Sequence, residues 1–93
     1  MPTNKDLGEA IRRLRRSKRL TIQELACAAD VHYNYLGRVE RGGISPTWER
    51  LVCLAQALDV PLPTLMRRIE DEAEVARAMR EARARIATER HAT

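Results

Sequence analysis

Apolar residues recur along the chain at helical spacing, and cap residues, glycines and prolines divide that pattern into short segments. From Asp6 the apolar positions are Leu7, Ala10, Ile11 and Leu14, one face of a helix carried to about Lys18, with residues 1–5 as a flexible lead-in. Thr21-Ile22-Gln23-Glu24 has the form of a capping box, in which the Glu24 amide donates to the Thr21 hydroxyl while the Glu24 carboxylate accepts from the Thr21 amide. A second, short helix therefore starts there and runs to about Ala29, with Leu25, Ala26 and Ala29 inward. It ends at Asp30-Val31, where Asp tolerates a turn conformation. A third helix, roughly His32 to Arg41, is anchored by Leu36 and Val39 and stopped by Gly42-Gly43. Ser45-Pro46-Thr47 opens a fourth with Thr47 as its cap, and Trp48, Leu51, Leu54, Ala55 and Leu58 mark its buried face.

Pro61 and Pro63 separate the fourth helix from a fifth, for which two extents are open: an end near Glu70, or one rod to about Arg90. The distal stretch is Ala-rich, with Glu70, Asp71, Glu72 and Glu74 early and Arg77, Arg80, Arg83 and Arg85 late, an order that complements the helix dipole. The expected fold class is all-α: a domain over residues 6–70 and a helical extension over residues 71–93. Within the extension Val75, Met79, Ala82 and Ile86 recur at the spacing of a coiled-coil seam. The seam is short and contains an alanine, so pairing with a second copy and packing on its own domain stand side by side.

Composition narrows the class further. At 93 residues one domain is expected, and with one Trp, two Tyr and no Phe its core must be aliphatic. The net charge of +4 favours a polyanionic partner without separating nucleic acid from an acidic membrane surface. Lys and Arg outnumber Asp and Glu by 12 to 8 over residues 1–70 and balance them 5 to 5 over residues 71–93, so the excess lies in the first part. On helix 1, Arg12, Arg13, Arg15, Arg16 and Lys18 suit a solvated surface better than a phosphate-seeking stripe for most of their number. Cys27 and Cys53 have no metal-ligand spacing, and two inert, partly exposed thiols fit a reducing cytoplasm. Charged residues interrupt every apolar run, which excludes a membrane span. There is no Gly-rich phosphate loop and no metal-ligand cluster, and His32 and His91 lack partners, so neither an enzyme nor a cofactor is expected.

From Leu7 to about Leu65 the chain resembles the lambda-repressor-like, Cro-type helix-turn-helix family. The matching residues are Leu7-Gly8-Glu9-Ala10-Ile11-Arg12-Arg13-Leu14-Arg15, Leu20-Thr21, Glu24-Leu25-Ala26, Ala29 and Val31, then Tyr35-Leu36, Arg38-Val39-Glu40-Arg41-Gly42, Pro46-Thr47, and Leu51 with Leu54 through Val60. The resemblance implies a five-helix DNA-binding domain whose third helix enters the major groove. Carried over by position, Tyr33, Asn34 and Arg38 are the base readers, with His32 at the helix start. Asn suits adenine, Arg suits guanine, and Tyr can reach a thymine methyl. Gly37 on the same side would remove bulk where the backbone nears the groove.

Phosphate contacts are expected from Thr21 at the start of helix 2, from Tyr35, and from Arg41 with the Gly42-Gly43-Ile44 loop. Arg15 and Glu40 take the positions of an ion pair between helix 1 and the recognition helix, and Arg15 can also aim a donor at phosphate. Many family members carry Gln where this chain has Ile22, so the polar bridge from helix 2 to helix 3 is missing. The implied partner is double-stranded DNA with two half-sites, bound by a homodimer formed either near Leu62 and Met66 or through Val75, Met79 and Ile86. No membrane partner, small-molecule effector or ligand-binding domain is expected. The function implied is a cytoplasmic transcriptional regulator of repressor or controller type. A protein-interaction adaptor or an antitoxin-type autoregulator using the C-terminal helix is the alternative.

Overall fold

The computed structural model describes residues 1–92, with side chains as far as Arg90, so the side chain of His91 lies outside the described residues. Every regular element is helical: α1 (Asn4–Ser17), α2 (Ile22–Ala28), α3 (Tyr33–Glu40), α4 (Trp48–Ala57) and α5 (Leu62–Ala92). α1 begins two residues before the apolar pattern does. Thr3 is its N-cap, and Asp6 closes a capping box by accepting from the Thr3 amide at 2.8 Å. Thr21 with Glu24 forms the expected second box, and Thr47 caps α4.

Four helices end alike. After α1, α2, α3 and α4 the chain passes through a left-handed residue, namely Arg19, Asp30, Gly42 and Asp59. The following amide, of Leu20, Val31, Gly43 or Val60, donates back five residues to close the helix end. Leu20, Val31 and Val60 then pack against the core, so each stop signal is also a hydrophobic anchor.

The core is wholly aliphatic, built of leucine, isoleucine and Val39 with Ala10, Ala26, Ala29 and Ala55 at the close contacts. Ile11, Leu25, Leu36, Val39, Leu54, Leu58 and Leu65 are fully buried, joined by Leu14, Leu51 and Ile69. Trp48 departs from expectation: it is 62% exposed. It has the angular position of the buried face, but as the first residue of α4 it stands beyond the core's edge, which begins one turn later at Leu51.

α5 runs unbroken from Leu62 to Ala92, so the longer of its two extents holds and the additional C-terminal helix is the continuation of helix 5. Its first part packs on α1 and α4 through Leu65 and Ile69. Arg13 reaches across to Glu72 at 2.9 Å. Met1, Pro2, Thr3 and Asp6 line a groove with α5 as far as Arg80, and the rod stretches the molecule to 55 × 25 × 24 Å. Val75, Met79 and Ile86 are half-exposed along it.

α1 and α3 cross at contact distance. A Cβ on Gly8 would run into the carbonyls of Val39 and Glu40, so the two backbones touch where a side chain would separate them. A few residues along α1, Arg15 Nε and Nη2 donate to the Glu40 carboxylate at 2.7 and 2.9 Å, and both side chains belong to residues only 8% exposed. The remaining Arg15 nitrogen donates to the Leu20 carbonyl at 2.9 Å, which fixes the start of the α1–α2 turn. The hydrogen bond to Glu40 and that carboxylate's charge outweigh burial and raise the Arg15 pKa above its ordinary value. The stability tied to this shift is present below the ordinary value and is lost only as pH climbs through the raised one. It is constant at every pH where the protein works.

Two outcomes follow from the crossing. Gly8→Ala, which at a solvated helix position would stabilise by about 1 kcal/mol, should here destabilise by about 2 kcal/mol in urea unfolding, because the clash is with backbone. Glu40→Gln should cost about 3 kcal/mol by stranding Arg15, whereas the double change Arg15→Met with Glu40→Leu should recover most of that loss.

Candidate nucleic-acid interface

α2, the Asp30 turn and α3 form the helix-turn-helix pair. Leu36 and Val39 are fully buried and lock α3 by one side. The opposite side, at i, i+1, i+4, i+5 and i+8, carries Tyr33, Asn34, Gly37, Arg38 and Arg41 as one stripe. Tyr33, Asn34, Arg38 and Arg41 are exposed, Tyr33 at 48%. The three expected readers therefore share one open face.

His32 is not simply another member of that face. It is the N-cap of α3, its Nδ1 accepting the Asn34 amide at 3.0 Å. Its ring stacks on Tyr33 with centroids 4.6 Å apart. Accepting at Nδ1 assigns the neutral imidazole's proton to Nε2, so the exposed ring offers a donor there. One residue thus caps α3 at the Asn34 backbone amide and stacks on the Tyr33 ring.

Two expectations change. Gly37 lies on the reading side but is buried, because the Arg41 guanidinium covers it, 3.1 Å from where a Cβ would stand. Its missing side chain makes room for Arg41. Gly43 is exposed, but its amide donates to the Arg38 carbonyl at 2.9 Å and that of Gly42 to Val39 at 3.0 Å. Both amides are spent capping α3, and Gly42 needs its positive φ of 78° for that turn. Neither amide is left for a phosphate.

Thr21 is brought to the readers. A groove of about 430 Å³ is walled by Thr21, Ile22 and Gln23 on one side and by Tyr33, Asn34 and Arg41 on the other. The Thr21 amide donates to the Glu24 carboxylate and the Thr21 hydroxyl oxygen accepts the Glu24 amide, which leaves the hydroxyl proton to donate, and the bond from the Thr21 amide holds the Glu24 carboxyl below the usual carboxylate range. Tyr35 points elsewhere. It is half-buried on the far side of α3, and Arg50 of α4 lies over its ring, 4.4 Å from the centroid. Gln23 and Arg50 were not singled out in the sequence; Gln23 follows directly from its place in the first turn after the Thr21 cap, whereas the reach of Arg50 depends on how α4 packs. The free thiols of Cys27 and Cys53 are exposed. No helix among the described residues is long and apolar enough to cross a membrane.

Residues 6–69 match the protein family described as "Helix-turn-helix domain". Over 78 residues the chain is 35% identical to the transcriptional regulator ClgR of Mycobacterium tuberculosis, covering 84% of this chain and 68% of ClgR. It is 36% identical over 62 residues to the control protein C.SmaI of Serratia marcescens, covering 67% of this chain and 74% of that protein. Among solved structures, the clp gene regulator ClgR from Corynebacterium glutamicum superposes with a TM-score of 0.79 at 30% identity, over 89% of this chain and 87% of that one. With the helix pair, its locked third helix and these matches together, the chain belongs to the lambda-repressor-like helix-turn-helix family and is a DNA-binding transcriptional regulator, not an enzyme.

Proposed function

We propose that the protein lays α3 in the major groove of an operator and reads it with Tyr33, Asn34 and Arg38, as a homodimer on two half-sites. The observation that carries this reading is the two-sidedness of α3: Leu36 and Val39 are fully buried while the three polar side chains opposite are exposed together. An α-helix with its side chains is about 10–12 Å across, and the major groove, about 12 Å wide, admits one. Arg38 suits guanine, Asn34 suits adenine, and Tyr33 can meet a thymine methyl.

His32 caps α3 beside the two leading readers and offers its own Nε2–H to a base edge or phosphate. Thr21 and Arg41 flank the readers and fix register on the backbone. Tyr35 contributes its hydroxyl beside Arg50. Arg15 is chiefly a tie between helices, with two of its five N–H groups left for an anion.

A single α3 makes too few base contacts for useful selectivity, and pairing places two such helices about one turn of duplex apart, roughly 34 Å. Val75, Met79 and Ile86, half-exposed on the later part of α5, favour that segment as the dimer seam, with Met66 and Leu62 at its base. The function so described is that of a cytoplasmic repressor or controller, with residues 71–93 as the assembly extension of the domain at residues 6–70.

Arg38→Ala and Asn34→Ala should each weaken cognate binding by about 1–3 kcal/mol and relax preference at one base pair. Titration against selected and random duplexes reads this, and equal losses on both would sink direct readout. Met79→Glu with Ile86→Glu should convert a dimer to a monomer in light scattering without lowering the melting temperature. A variant that stays dimeric would place the seam elsewhere.

A further inference from the structure

The cations of α1 are sorted by the fold into two groups. Arg13 faces α5 and pairs with Glu72 at 2.9 Å and with Glu9 at 3.2 Å. Lys5, Arg12 and Arg16 lie with Glu9 on another line, at intervals of four, three and four residues, and face α3. There they meet Arg41 across a groove of about 560 Å³. Glu9, half-buried on its edge, holds Arg12 at 3.5 Å, while Lys5, Arg16 and Arg41 make no ion pair among the described residues.

Glu9 balances Arg12, whereas Lys5, Arg16 and Arg41 bring unpaired positive charge to the same concavity, which favours an anion there. The groove is also rigid on the α3 side. Lys5 is seated against the end of α3, since a Cβ on Gly42 would stand 2.9 Å from the Lys5 Cα. Arg41, though exposed, lies over Gly37, its Nη1 3.1 Å from where a Cβ would stand. The groove shares Arg15, Ile22, Gly37 and Arg41 with the one that holds Tyr33 and Asn34, so the two are continuous.

We infer that this α1–α3 groove is a second backbone clamp, in which Lys5, Arg12, Arg16 and Arg41 bind phosphates of the same duplex next to the bases read by α3. The inference rests on the operator-binding reading and extends it to α1. The ligand chemistry is a run of phosphate oxyanions, and continuity with the reading groove favours DNA over a free phosphate. On binding, Arg12 turns from Glu9 to phosphate, and Glu9 keeps Arg13. Lys5, Arg12 and Arg16 are then positioning residues that set affinity and register without reading sequence.

The test compares the wild type with Lys5→Gln/Arg12→Gln/Arg16→Gln on cognate and random duplexes over a salt series. Glutamine keeps helix propensity, and thermal unfolding checks that the variant is folded. The log–log salt slope should flatten by about 0.9 for each phosphate lost, with the cognate-to-random ratio unchanged. Glu9→Gln should tighten binding to both duplexes by the same factor. An unchanged slope, or a loss confined to the cognate duplex, overturns the inference. If inorganic phosphate then stabilises the wild type and not the variant at matched ionic strength, the groove serves a free anion instead. A wild type that binds no duplex at low salt would defeat the operator reading itself, an outcome distinct from these.

Discussion

The contact of α1 with α3 is the constraint on which the DNA-facing surface depends. α3 has only 8 residues, too few to be stable alone, so its orientation comes from what it is pressed against. Gly8 lets α1 meet the Val39 and Glu40 carbonyls directly, and Leu36 and Val39 fill the core beneath. The Glu40 carboxylate, held at two points by Arg15, removes the remaining freedom to roll. A roll of one residue, about 100°, would carry Arg38 off the open face and bring Tyr35 toward it. The buried pair thus contributes to function by fixing which side chains face outward, even where its net stabilisation is modest.

The second requirement is that short helices begin and end at fixed residues. The four helices of the bundle before α5 each have a side-chain N-cap, from Thr3, Thr21, His32 and Thr47, and each closes through a left-handed residue. Three of those left-handed positions are not glycine, and each left-handed residue of that kind costs about 1 kcal/mol. The cost is offset by the returned amide bond and by the burial of Leu20, Val31 or Val60 next in line. Gly42 is the exception because Lys5 crowds it, so a Cβ there would fail for space as well as for φ.

Those local signals made most of the fold legible from the residues. The Thr21–Glu24 box, the Asp30-Val31 stop, the Gly42 stop and the Thr47 cap are all found where the pattern puts them. What the pattern did not carry was longer in range. Thr3 was missed because its partner Asp6 was read as the first helical residue. Trp48 has the right periodicity and the wrong height, and only the packing of α4 shows where the core ends. That Gly37 makes room for Arg41 depends on a rotamer. The pattern groups Arg12, Arg13, Arg15, Arg16 and Lys18 as one surface and leaves Lys5 in the lead-in, and only the crossing with α3 gathers Lys5 with Arg12 and Arg16 and separates them from Arg13, which faces α5. The surface that faces DNA is a property of two helices, whereas periodicity describes one.

Ile22 ties these points together. Where the family resemblance implies a Gln bridging helix 2 to helix 3, this chain has an apolar residue, half-buried and packed on the core at the ridge between the two grooves. α2 therefore cannot hold α3 through a side-chain amide there. Arg15 supplies an equivalent tie from another direction, since it joins α1 to the Leu20 carbonyl that leads into α2 and to Glu40 at the end of α3. One buried guanidinium thus ties α1 to the end of α3 and to the turn before α2. The amide of an exposed Gln would compete with water for each of its bonds, whereas a charge-assisted, buried contact is not exchanged in that way. Ile22 thus leaves the ridge between the two grooves apolar, with Arg41 lining both of them.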